Sequence, residues 1–127
     1  YEIASCLVGS EMCIRDSVTN RSKNPMVGKT LPLSHELFDF AETVFDVLES
    51  RQVTLSKKGE DKGVRLSFEG FPYLIVWSKP EGDFVAVEPW GGLSTCSDED
   101  DVLEHKRGCL VAKPKETVVR SFTIEIL

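Results

Sequence analysis

The stretch Phe71–Gly92 reads FPYLIVWSKPEGDFVAVEPWGG. Two apolar runs, Leu74 to Ser78 and Phe84 to Glu88, flank the turn-forming Lys79-Pro80-Glu81-Gly82-Asp83. Short apolar runs bounded by Pro and Gly read as paired strands. The same signature recurs on the amino-terminal side. Val53 and Leu55 alternate with polar neighbours over Gln52 to Ser56, and Val64, Leu66 and Phe68 do so over Gly63 to Phe68. Between them, Lys57 to Gly63 carries two Gly amid charge, a hairpin turn. Val118 to Leu127 alternates again, with Phe122, Ile124 and Ile126 on one face and Ser121, Thr123 and Glu125 on the other. Short strands at regular intervals predict an all-β fold, an antiparallel β-sandwich, with roughly six or seven strands after Val44.

Upstream, Val18 to Thr30 is polar with Asn-Pro and Gly breakers, and reads as a loop or linker. Leu31 to Phe45 follows, where Ser34 is placed to cap a short helical turn and Phe38 and Phe45 are expected to bury. No repeat of solenoid type is present.

The 127 residues suffice for one domain, with 41% hydrophobic and 28% charged residues. No apolar run approaches the roughly 20 residues of a membrane helix, so no membrane partner is expected. The formal charge of −6 argues against a nucleic-acid partner, which rewards clustered Lys and Arg. A neutral or polar small molecule suits this balance better. The four cysteines, Cys6, Cys13, Cys96 and Cys109, match no zinc spacing. They read as free thiols of a reducing cytoplasm. Asp98 to Glu104 holds five acids in seven residues without the spacing and glycine of a calcium loop, and reads as a solvated loop or short helix.

Residues 1–17, YEIASCLVGSEMCIRDS, open without an initiator methionine and lack the basic and apolar regions of a signal peptide. The string CLVGSEMCIRDS resembles translated sequencing-adapter text. That resemblance implies a non-native segment, with the native chain beginning near Val18 and Leu7, Val8 and Ile14 poorly packed. A native first strand over Ala4 to Val8 is the alternative.

Glu88 is the residue with the clearest chemical promise. It follows an apolar strand read as buried on both faces. Pro89 removes a backbone donor, so pairing is expected to stop there. Trp90 adds a flat aromatic surface with one N–H donor, and Gly91-Gly92 lets the backbone turn sharply. A carboxylate, an aromatic platform and a turn at a sheet end make a candidate sugar site, since pyranose C–H faces stack on aromatics and carboxylates accept hydroxyl hydrogens. A rim glutamate in a salt bridge is the plainer alternative.

The segments LPLSHELF, FPYLIVWSKP, FVAVEPWGG, EHKRG and FTIEI resemble, in order, the C-terminal half of aldose 1-epimerase (galactose mutarotase-like) proteins. The likeness covers residues 31–127, and EPW at a strand end is its most specific piece. It implies the later strands of a large antiparallel supersandwich, hence a partial one, with an open face prone to self-association. It also implies a cofactor-free interconversion of α and β anomers of an aldohexose or hexose phosphate. A glutamate takes the C1 hydroxyl proton and a histidine protonates the ring oxygen. By motif, Glu88 matches the base. Trp90, Asp39 and Glu42 are the candidate sugar-binding residues. The family's histidines fall upstream, so the 127-residue piece is expected to be inactive by itself. His35 beside Leu33 and Leu37 reads as structural, and His105 as a solvated loop residue. Lys106 and Arg107 are candidates for a substrate phosphate, with surface charge the plainer role. The runner-up function is a non-catalytic carbohydrate-binding module.

Overall fold

The computed structural model describes residues 2–5, 25–39, 42–96 and 98–127. Eight strands carry the fold: β1 Glu2–Ser5, β2 Thr30–Pro32, β3 Thr43–Phe45, β4 Gln52–Ser56, β5 Gly63–Ser67, β6 Tyr73–Trp77, β7 Ala86–Trp90 and β8 Thr123–Ile126. Two short 3-10 turns, His35–Phe38 and Leu103–His105, complete the regular structure among the described residues. The strands form an antiparallel five-stranded sheet, ordered β2-β1-β4-β5-β8, and an antiparallel three-stranded sheet, ordered β3-β6-β7. The antiparallel all-β architecture is the one expected. Five strands follow Phe45 among the described residues, fewer than the six or seven anticipated.

Period-two patterning explains the layers. Val53 on β4 and Leu66 on β5 sit opposite each other and point inward. They meet Phe45 of β3 and Leu74 and Val76 of β6, all buried, and Leu31, Phe38 and Phe68 close the same cluster. Phe38 and Phe45 therefore bury as predicted. The outward residues of the larger sheet are polar. Gln52 Nε2 donates to Ser67 Oγ at 3.0 Å, and Arg65 pairs with Glu125 at 2.7 Å across β5 and β8. Such directly opposed cross-strand pairs each contribute roughly 0.2–1 kcal/mol.

Several expectations are corrected. Pro89 does not end the ladder: it sits opposite Leu74, and Trp90 is still paired with Tyr73. The reason is position. Among the described residues β7 is the edge of its sheet, where proline is tolerated because no described strand lies on its far side. For the same reason β7 is half-buried throughout, and Phe84 is 51% exposed; this run is not buried on both faces. The final alternating run forms a strand only over Thr123–Ile126, because β5 ends at Ser67, the partner of Thr123. β1, inside the segment read as non-native, lies between β2 and β4. Leu7, Val8, Ile14, Cys6 and Cys13 lie outside the described residues.

The two layers are unequal. Ile124 and Ile126 are opposite Leu66 and Val64, on the side that faces the core. Leu66 is buried, yet Ile124 is 58% and Ile126 77% exposed. The three-stranded sheet does not extend over β8, so an apolar row is left uncovered among the described residues.

Candidate functional site

The site is built on the outer face of the three-stranded sheet. Val44, Ile75 and Glu88 are aligned across β3, β6 and β7. Because side chains alternate, Trp77 and Tyr73 of β6 and Trp90 of β7 share that face. Val44 and Ile75 are buried there beneath Leu93, with Tyr73, Trp77 and Trp90 packed around them. The turn through Gly91 and Gly92 brings Leu93 back over this floor.

On it lies a cleft of about 250 Å³ lined by Glu42, Ile75, Trp77, Glu88, Trp90 and Ser94. Of the residues singled out from sequence, Glu88, Trp90 and Glu42 are brought together. Asp39 is not among the lining residues; it closes the first 3-10 turn and is exposed. Ile75, Trp77 and Ser94 are the additions. Trp77 lay in the strand run but had no local mark of a site, since its relation to Glu88 depends on the β6–β7 register. Its ring is braced edge-on by Phe84, at 5.6 Å between centroids and 64° between planes.

Glu88 and Trp90 touch directly. The indole Nε1–H of Trp90 donates to Glu88 Oε2 at 2.9 Å. Two residues apart on one strand put both side chains on one face, so this contact is local in origin. The carboxylate thus has a neutral hydrogen-bond partner, with no salt bridge of the kind the rim reading supposed recorded among the described residues.

A second loop supports the turn. Gly108, at φ +71°, packs so closely that a Cβ there would stand 2.7 Å from the Gly91 carbonyl oxygen and 2.8 Å from the Tyr73 ring. Glu99 fastens this loop. It accepts the Cys96 amide at 3.0 Å, the Arg107 amide at 3.3 Å and Lys106 Nζ at 3.4 Å. The Cys96 amide, then Arg107 and Lys106, hold its carboxyl below the ordinary carboxylate range. Arg107 also pairs with Asp98. Lys106 and Arg107 are therefore engaged in fastening a loop. His105 is exposed and pairs with Asp100 at 2.7 Å, and burial raises the Cys96 thiol. Cys96 and Cys109 are free thiols.

A larger cavity of about 640 Å³ opens between the layers, lined by Leu33, His35, Phe38, Leu55 and Phe84 among others. It takes His35, and neither Glu88 nor an indole. The smaller cleft is the better candidate because it sets two carboxylates, Glu42 and Glu88, beside two indoles, whereas the larger cavity offers Asp83 beside Phe38 and Phe84. Among the described residues no cluster of His, Cys, Asp and Glu is placed to hold a metal ion, and no helix is long and apolar enough to cross a membrane.

No family model matches the chain. A crystal structure of a galactose mutarotase related enzyme from Lactobacillus acidophilus superposes with a TM-score of 0.80 over 99% of this chain and 44% of that one, at 22% identity. The chain has the fold of the matched part of that enzyme. It is also 35% identical over 129 residues to the plasmid and chromosomal forms of Protein LacX from Lactococcus lactis subsp. lactis. The match covers 99% of this chain and 43% of each relative, so the chain spans a little under half their length.

Proposed function

We propose that this chain is the later part of a longer aldose 1-epimerase-like enzyme that interconverts the anomers of an aldohexose or hexose phosphate. The observation that carries the reading is the cleft itself: Glu88 between two indoles, Trp77 and Trp90, with a second carboxylate, Glu42, on its wall. A cleft of about 250 Å³ falls below the roughly 300–1,000 Å³ of sites for larger ligands and suits a single sugar ring. The indoles offer faces for pyranose C–H groups, and Glu42 offers an acceptor for a ring hydroxyl. Asp39 remains a proposed sugar ligand only if the rest of the protein draws it toward the cleft.

In this mechanism Glu88 takes the proton of the C1 hydroxyl. The oxygen's electron pair becomes the carbonyl bond, and the C1–O5 bond breaks as a general acid protonates O5. Rotation about C1–C2 and the reverse steps give the other anomer. No cofactor is required. The acid, an imidazolium by family resemblance, is assigned to the part of the protein beyond this chain. Within the cleft no histidine is among the lining residues, which favours binding without turnover for the isolated chain. A cytoplasmic setting, suggested by the free thiols, belongs to the same proposal.

Polarimetry tests it. A protein of the relatives' full length that contains this chain should speed the mutarotation of freshly dissolved α-galactose, α-glucose or their 6-phosphates beyond the spontaneous rate. The 127-residue chain should not. A full-length protein that binds sugar without changing the rate leaves the carbohydrate-binding reading in its place.

The open Ile124/Ile126 row and the free edges of β7 and β8 favour association when the chain is alone, because unpaired edges and uncovered apolar faces recruit partners. Sedimentation velocity of the 127-residue chain should show dimers or larger species. A single monomeric species that unfolds cooperatively would contradict this.

A further inference from the structure

Both indoles of this protein line the cleft, and they are not equivalent. Trp77 is held by an apolar edge contact with Phe84. Trp90 gives its single donor to Glu88 Oε2. An indole has one N–H and no acceptor, so that donor is spent on the protein and is not available to a sugar hydroxyl. A carboxylate has two oxygens with different surroundings here. Oε2 is occupied, and Oε1 has no recorded partner among the described residues.

We infer that Trp90 is a positioning residue: its N–H fixes the Glu88 carboxylate by Oε2, so that Oε1 is the oxygen presented to the substrate proton. The inference rests on the mutarotase reading for the identity of that proton. Two structural facts favour it. Trp90 is anchored opposite Tyr73 by the strand ladder, so the donor is held by backbone as well as by packing. Glu88 stands on an edge strand with half-buried neighbours, where a carboxylate with no such tether would be free to rotate into solvent. A base that must meet a hydroxyl within hydrogen-bond reach gains from that restriction.

Trp90→Phe keeps an aromatic face and removes the donor. In the full-length protein it should lower kcat on the order of 10- to 100-fold, the scale of one hydrogen bond to a charged group, while KM stays within about twofold. A residue serving only as a stacking surface would do the reverse, raising KM with kcat nearly intact. In a Glu88→Gln background, adding Trp90→Phe should cost nothing more; losses that multiply would mean Trp90 acts independently and would overturn the inference. A spectroscopic arm needs neither activity nor a Trp90 variant. The 127-residue chain has two indole N–H resonances, and Trp77→Phe leaves that of Trp90. Glu88→Gln should move it upfield as a charged acceptor is replaced by a neutral one. A resonance that stays put overturns the contact. If Glu88→Gln retains full mutarotation, the base assignment fails and this inference with it. If Glu88→Gln is inactive but Trp90→Phe keeps its kcat, the inference alone fails.

Discussion

Glu88→Gln, in a full-length protein carrying this chain, should lower the rate of mutarotation on the order of 10²- to 10⁴-fold while sugar affinity changes little. Gln fills the same space and keeps an oxygen able to accept the Trp90 N–H, so the cleft should retain its shape. What it loses is the capacity to take a proton at neutral pH. Removal of a positioned general base typically costs that range of rate. The measurement is initial-rate polarimetry, corrected for spontaneous mutarotation, beside isothermal titration with the same sugar. A variant with the wild-type rate would show that the base lies elsewhere. One that also loses sugar affinity would show that Glu88 serves binding first. Trp77→Ala, by comparison, should act mainly on affinity, since it removes a face and leaves the Glu88–Trp90 contact in place.

Phe68→Ala should destabilise the fold by about 3–5 kcal/mol. Phe68 is fully buried in the cluster that joins the two sheets. It also directly follows the last residue of β5, and there its amide donates to the Arg51 carbonyl at 2.8 Å and its carbonyl accepts the Phe71 amide at 3.2 Å. Truncation leaves a void with backbone fixed on two sides, so little collapse can offset it. Domains of this size are stable by roughly 5–15 kcal/mol in total. A loss of this size therefore takes most of the margin, and the urea midpoint should fall sharply. Phe68→Leu should cost much less. An Ala variant with an unshifted midpoint would mean that the cluster around Phe68 is not the core.

What was legible in the sequence is local. β4 begins and ends where alternation placed it, and β5 and β6 are displaced by no more than a residue at either end. A strand with one apolar face announces itself by period alone. Glu88 and Trp90 could be paired for the same reason, since positions i and i+2 of a strand share a face whatever its partner. β3 is harder: Thr43–Phe45 is three residues long and buried throughout, so it has no alternation to read, and the Leu31 to Phe45 segment shows only a short helical turn after Ser34. β2, Thr30–Pro32, is only three residues long and straddles the end of the polar Val18 to Thr30 stretch, which reads as a loop, and the start of Leu31 to Phe45. Trp77 shows the same limit at the site. Its neighbours Ala86 and Glu88 come from another strand, and only the register of β6 on β7 makes it a wall of the cleft. The length of β8 likewise depends on where β5 stops.

The strand order has a consequence in time. Within each sheet some neighbours are also neighbours in sequence: β4 meets β5 across a short turn, with Gln52 and Ser67 fifteen positions apart, and β6 meets β7 across Lys79 to Asp83. Hairpins of this kind close in about 1–10 μs. The ends of the larger sheet are different. Arg65 and Glu125, which join β5 to β8, are sixty positions apart, and β1 reaches β4 only after the chain has travelled through β2 and β3. Long loops must give up their entropy before such pairs return any stabilisation. The route this implies is two early hairpins, one of them already holding Glu88 and Trp90 face to face with Trp77, and a late capture of β1 and β8 on either side. The edge that carries the cleft would then be assembled while the larger sheet holds only two of its five strands, and the slowest step in making the protein would be the closing of that other sheet.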